Sequence, residues 1–193
     1  MIVLGIDPGT ATTGYGVVKS TGHGLYALVE CGVIRTRARE RLPLRLKEIY
    51  EGVAELIVRH RPDAMSVEDV FYAKNVRTTV VLGHARGVIL LAAELAGVEV
   101  HEWAPAEIKK AVVGHGGATK EQVQFMLTRL LRLRNVPQPS DAADGVAAAL
   151  TYCMSAHLPK MPVLPNAKYP LPPRAPRVRQ PAAPGFTPNE DDA

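Results

Sequence analysis

Cysteine is almost missing from this chain of 193 residues: there are two, Cys31 and Cys153, each inside an apolar stretch. So sparse a set excludes a disulfide framework and a cysteine-ligated zinc site, and points to a reducing compartment. Aromatic residues are few, at 5%. No apolar run reads as long enough to span a membrane, and no basic segment precedes the first apolar run, so neither an anchor nor a leader is expected. Charge of one sign is not dominant either. Lys and Arg number 23 against 19 Asp and Glu, a net +4, which suits a polyanionic partner without demanding one. What remains is a 47% hydrophobic chain with enough apolar mass for one full core. A soluble cytoplasmic protein with no membrane partner is the expectation.

Composition changes near residue 158. Residues 159–193 hold ten of the sixteen prolines, with Lys160, Lys168, Arg174, Arg177 and Arg179, and end in Glu190-Asp191-Asp192. Lacking amphipathic periodicity, residues 158–193 are predicted to be a disordered, basic, Pro-rich tail on a domain of residues 1–157. In that domain three β-like runs, Ile2–Asp7, Gly14–Lys19 and Leu25–Arg35, suggest an antiparallel meander. Leu42, Leu46, Ile49, Tyr50, Val53, Leu56 and Ile57 mark one helix face. Strands over Ala64–Val70 and Val98–Trp103 alternate with a long helix over Val76–Leu95. A short helix over Pro105–Val112, a glycine loop over Gly114–Gly117, a helix opened by the capping box Thr119-Lys120-Glu121-Gln122, and a last helix from about Ser140 to Ala156 complete the chain. The fold class is α/β, a mixed five-stranded sheet flanked by helices, with the two later strands parallel to the first.

Four carboxylates carry the chemistry. Asp7 ends the first apolar strand and Glu68 stands near the end of the fourth. If those strands are parallel neighbours, the two acids meet at one sheet edge, where ligand sites in such sheets gather. Asp141 and Asp144 are three apart and share a helix face. Each has a plainer reading: Asp7 as a turn residue before Pro8-Gly9, Glu68 as a solvated strand end, Asp141 as an N-cap, and Asp144 as an acid at the positive end of a helix. Together those readings weaken, because four converging acids repel unless cations neutralise them. Hard oxygen donors suit Mg²⁺ or Mn²⁺, and two such ions about 3.5–4 Å apart serve in-line phosphoryl transfer.

The segments GIDPGTATTGYGVV, VEDVFYAKN, GHARGVILLAA, VVGHGGATKEQVQFML and SDAADGVAAAL, in this order between Val3 and about Cys153, closely resemble the RuvC family of Holliday junction resolvases. The resemblance implies an RNase H-like fold and a structure-selective endonuclease that makes paired nicks in four-way DNA junctions during recombination and repair. It also implies Mg²⁺ dependence, a homodimer and a RuvA–RuvB branch-migration partner. Its four catalytic acids fall on Asp7, Glu68, Asp141 and Asp144. Some relatives place His where this chain has Asp141. The tail lies outside the resemblance.

The segment Phe71-Tyr72-Ala73-Lys74-Asn75 reads either as a hydrophobic staple for the next helix or as an exposed aromatic able to stack on an unpaired base. The resemblance favours stacking for Phe71, lends Tyr72 a weaker case, and brings Lys74 into the DNA-contacting set. Lys109 and Lys120 flank the glycine loop. A lysine at a helix N-terminus gains nothing from the dipole, so a phosphate contact suits Lys120, and the resemblance supports both lysines in that role. Gly83 and Gly87 permit close helix approach, either to the domain's own sheet or, as the resemblance implies, across a two-fold interface. The competing functions are an actin-like ATPase or sugar kinase lobe, a catalytically silent junction-binding module, and a nuclease acting on RNA ends.

Overall fold

Alternation along the first strand sets the architecture. In β1 (Ile2–Asp7), Leu4 and Ile6 enter one apolar cluster while Val3 enters another on the opposite face. Successive side chains in a strand point to opposite sides, so Val3, Gly5 and Asp7 share a face. The computed structural model describes residues 1–22, 24–69 and 76–156. The segment of residues 70–75, with Phe71, Tyr72 and Lys74, and the tail of residues 158–193 lie outside the described residues.

The sheet runs β3-β2-β1-β4-β5. β2 (Thr12–Gly22) pairs antiparallel with β1 and with β3 (Leu25–Arg35), whereas β4 (Ala64–Glu68) and β5 (Glu99–Trp103) add in parallel on the other side of β1. This is the mixed five-stranded α/β sheet expected. β2 is longer than predicted. Register shifts at Val17/Val18 and Ser20/Gly22 let pairing with β3 continue through residues that read as turn. β4 stops at Glu68, short of the predicted Val70, and the Asp69 N–H donates to the Trp103 carbonyl at 2.8 Å.

Helices cover both faces. α1 (Leu42–His60) and α2 (Val76–Leu95) bury Ile49, Val53, Leu56, Ile57, Ala85, Ile89, Ala92 and Ala93 against Leu4, Ile6, Val17, Met65 and Val67. On the other face α3 (Pro105–Val113), α4 (Lys120–Leu130) and α5 (Ser140–Ser155) enclose Val3 and Val18. In α4, Val123 and Leu127 are buried and Met126 and Leu130 are packed beside them, as the periodicity predicts.

One expectation is corrected. α2 is 20 residues long with a mean hydropathy of 1.4, enough in length and composition to cross a membrane. Single-run inspection misses this because Arg77, His84 and Arg86 interrupt the apolar residues. The helix instead divides its apolar surface. Ala85, Ile89, Ala92 and Ala93 face the sheet, and Val76, Val80, Gly83, Gly87, Leu91 and Leu95 form an exposed stripe. A Cβ built on Gly83 or Gly87 meets nothing within 4 Å. The two glycines therefore do not serve packing against the domain's own sheet.

Candidate metal centre

Parallel register brings the first two acids together. β1 and β4 pair Val3 with Ala64 and Ile6 with Val67, so the next residues along the two strands are Asp7 and Glu68. Both lie on the face that carries α5. On that face Ser66, fully buried, donates its hydroxyl to the Ala148 carbonyl of α5 at 2.6 Å. This bond ties the strand bearing Glu68 to the helix bearing Asp141 and Asp144.

Missing side chains set how closely that helix approaches. A Cβ on Gly14 would overlap the Asp141 carbonyl, and one on Gly5 would overlap the backbone of Gly145 and Ala149. Glycine at these strand positions lets α5 lie directly on the sheet, its first turn on β2 and its next turns on β1. One carboxylate oxygen from each of Asp7, Asp141 and Asp144 lies within 4.8 Å of the others. Glu68 stands outside this trio but lines the same cavity of about 330 Å³, together with Asp7, Lys109, Lys120 and Asp144. All four predicted acids therefore gather at one edge of the sheet.

The plainer readings of two of them fail on geometry. The N-cap of α5 is Pro139, which offers no side-chain cap, and the Ala142 N–H donates to the Pro139 carbonyl at 2.9 Å. Asp141 lies two residues past the N-cap, too late to cap, and its carboxylate joins those of Asp7 and Asp144. The turn after β1 is held by other groups. Thr13 Oγ1 donates to the Gly9 carbonyl at 2.6 Å, Thr36 Oγ1 to the Thr10 carbonyl at 2.6 Å, and the Thr36 N–H to the Ala11 carbonyl at 3.1 Å. Among the described residues no hydrogen bond runs from the Asp7 carboxylate to that turn.

Crowding shows in the acidities. Burial first, then the charges of Glu68, Asp144 and Asp141, push Asp7 from 3.8 up to about 8, with Lys120 opposing. Burial and then Asp144 push Glu68 from 4.5 up to about 7, against the pull of Lys109 and Lys120. The two lysines thus offset only part of the repulsion. Lys120 is the first residue of α4, behind an intact capping box: the Thr119 N–H donates to Gln122 Oε1 at 2.8 Å and the Gln122 N–H to Thr119 Oγ1 at 3.3 Å. Its ammonium donates to Asp144 Oδ2 at 2.7 Å. Lys120, predicted to contact phosphate, is thus an ion-pair partner of the cluster. Lys109, on α3, lines the same cavity. An all-carboxylate donor set, partly buried and under-neutralised, fits a hard divalent cation.

The sequence reading missed Gly5, Gly14 and Ser66, which set the spacing of the cluster. Their signal is visible in retrospect: small residues alternate along β1, β2 and β4 on the side where α5 is almost all alanine.

Comparison with known proteins covers most of the chain. A family model described as crossover junction endodeoxyribonuclease RuvC matches residues 3–152. The crossover junction endodeoxyribonuclease RuvC of Brevibacillus brevis is 52% identical over 152 residues, 79% of this chain and 91% of that protein. The protein of the same name from Desulforamulus reducens is 46% identical over 152 residues, 79% and 93% of the two chains. Among solved structures, the RuvC of T. thermophilus in complex with a Holliday junction substrate superposes with a TM-score of 0.77 at 38% identity, over 81% of this chain and 94% of that one. The yeast mitochondrial Holliday junction resolvase Ydc2 shares the fold at a TM-score of 0.59 and 13% identity, over 79% and 78% of the two chains.

Proposed function

The chain belongs to the RuvC family of crossover junction endodeoxyribonucleases, with its RNase H-like fold, and from that premise we propose that it resolves four-way DNA junctions by paired symmetric nicks. It is a hydrolase acting on two strands of like polarity, in homologous recombination and DNA repair. The observation that carries this reading is the gathering of Asp7, Asp141 and Asp144, with Glu68 on the same cavity, at one edge of the sheet.

In this reading the four acids hold the cofactor, Mg²⁺, with two ions per active centre and Mn²⁺ as a substitute, since every donor is a hard carboxylate oxygen. When bound, the ions supply an activated water and neutralise charge on the leaving oxygen of the scissile phosphate. The chain's own groups do the rest. Gly5, Gly14 and Ser66 fix α5 against the sheet and so set the spacing of the acids. Lys109 and Lys120 supply phosphate contacts from the cavity wall, Lys120 exchanging its bond to Asp144 for one to a phosphate oxygen. Phe71, Tyr72 and Lys74, directly after β4 in sequence, contact DNA beside the cut, with Phe71 stacking on an unpaired base. The products are a 5′-phosphate and a 3′-hydroxyl, ready for ligation.

A junction with two-fold symmetry calls for a two-fold enzyme. The exposed stripe of α2, with Gly83 and Gly87 at its centre, supports a homodimer built through this helix. The same reading takes the RuvA–RuvB branch-migration complex as a partner, the cytoplasm as the location, and residues 158–193 as a tail dispensable for the chemistry of a nuclease domain spanning residues 1–157. The test is a supercoiled plasmid that extrudes a four-way cruciform. Mg²⁺-dependent linearisation, absent with EDTA and absent on a plasmid without the inverted repeat, is the expected result. Equal cutting of both plasmids would defeat junction selectivity.

A further inference from the structure

Helix α4 ends in a manner its sequence does not favour. The Leu133 N–H donates to the Thr128 carbonyl at 2.9 Å and the Arg132 N–H to the Arg129 carbonyl at 3.3 Å, the paired bonds of a Schellman turn. At the left-handed position of that turn stands Arg132, with φ +54°, where glycine is preferred because a Cβ crowds the backbone. Arg132 has company. With Arg129 and Arg134 it lines an open groove of about 670 Å³ that also presents Phe125, Thr128 and Asn135. All three arginines are exposed. Among the described residues none of them has a carboxylate within ion-pair distance. Phe125 is 55% exposed, and the Arg129 guanidinium carbon lies 5.2 Å from its ring centre.

The groove is tied to the carboxylate cluster at both ends. Its loop runs into Pro139, the N-cap of α5, two residues before Asp141. At the far end of α4, Lys120 bonds Asp144. An 11-residue helix is about 16 Å long, roughly five base-pair steps of duplex. We propose that this groove is a second DNA-contact surface, outside the catalytic centre, which takes the phosphate backbone of a duplex arm. The choice of DNA as the occupant rests on the nuclease reading above. A duplex with a phosphate at the acids extends past this distance, and guanidinium groups bind phosphate through paired donors. The dipole at the end of α4 favours a cation there, but it accounts neither for three arginines around one groove nor for arginine at the left-handed position.

The test uses full-length protein in EDTA, so that binding is read without cutting. Arg132→Gly and Arg134→Gln are made singly and together. Affinity for a four-way junction and for linear duplex is measured between about 50 and 200 mM salt, alongside thermal unfolding. The expected result is a salt dependence of log affinity shallower by about one for each arginine removed, on both DNAs. Arg132→Gly should meanwhile melt at the same temperature as wild type or higher, because it relieves the left-handed backbone. Unchanged salt slopes, with or without a fall in melting temperature, would assign the arginines to the end of α4 or to an acidic protein surface and overturn the proposal. Failure of the wild-type chain to cut junctions in Mg²⁺ would defeat the nuclease reading on its own. A shallower slope in a chain that binds DNA without cutting it would still support the arm contact.

Discussion

Asp7→Asn should make the metal-free protein more stable while destroying its activity. Asp7 is held at about 8 against an ordinary 3.8, by burial and by Glu68, Asp144 and Asp141. A carboxyl raised in the folded state contributes stability that is fully present below about 3.8 and is lost as pH climbs through about 8, because the unfolded chain ionises first. Glu68, raised to about 7, acts in the same direction. Across about four pH units at about 1.4 kcal/mol each, ionising Asp7 costs the folded state on the order of 5 kcal/mol. The repulsion is shared, and water relaxes around an opened cluster, so removing one charge recovers about 2–3 kcal/mol. For a chain of this size that is about 4–12 °C in melting temperature. Wild type and variant should be melted in EDTA at pH 5 and pH 9. Near pH 5, with Asp7 still protonated in the fold but already ionised in the unfolded chain, only part of the difference should be present. At pH 9 the variant should melt higher. Added Mg²⁺ should raise the wild type and leave the variant where it was. A variant that melts lower than wild type at pH 9 without metal would refute the reasoning, since the carboxylate would then be stabilised in the fold.

Three further outcomes are expected. Gly14→Ala places a methyl group against the Asp141 carbonyl. It should cost about 1–3 kcal/mol of stability by overpacking and slow junction cutting by about 10²-fold through displacement of α5, as read by thermal melts and single-turnover nicking. Leu91→Glu, on the exposed stripe of α2 where Leu91 is 53% exposed, should leave the fold intact and shift sedimentation toward monomer, turning paired nicks into single ones; an unchanged dimer would move the interface elsewhere. A chain ending at residue 158 should fold and cut, with weaker binding at low salt from the loss of basic side chains; loss of folding would show the domain boundary is misplaced.

Much of this arrangement was legible from residue pattern alone. Period-two and period-3.6 apolar spacing is a local property, so Ile2–Asp7, Leu25–Arg35 and Val76–Leu95 emerge with the bounds the structure gives. Asp7 and Glu68 could be paired because strand direction follows from connection type. Where the sequence misled, a non-local contact was responsible. Asp141 looks like an N-cap because it is an aspartate at a helix start, yet Pro139 occupies that place and the carboxylate is drawn to the cluster by the close seat of α5 on Gly14. β2 continues past Lys19 because bulges accommodate its register against β3. No glycine marks the turn at Arg132, so the sequence carries no signal for where α4 ends. The basic groove there becomes visible only once the chain has folded back.

The central claim is that the carboxylate cluster is the catalytic centre, and Asp141→Asn tests it most directly. Asparagine preserves size and hydrogen bonding, and Asp141 does not cap α5, so the fold should be untouched. Cutting of a synthetic four-way junction is measured under single-turnover conditions in Mg²⁺, with junction binding measured in parallel in Ca²⁺. The account predicts undiminished binding and a loss in cutting rate of at least about 10²–10³-fold. Cutting at the wild-type rate would contradict it and remove Asp141 from the catalytic centre.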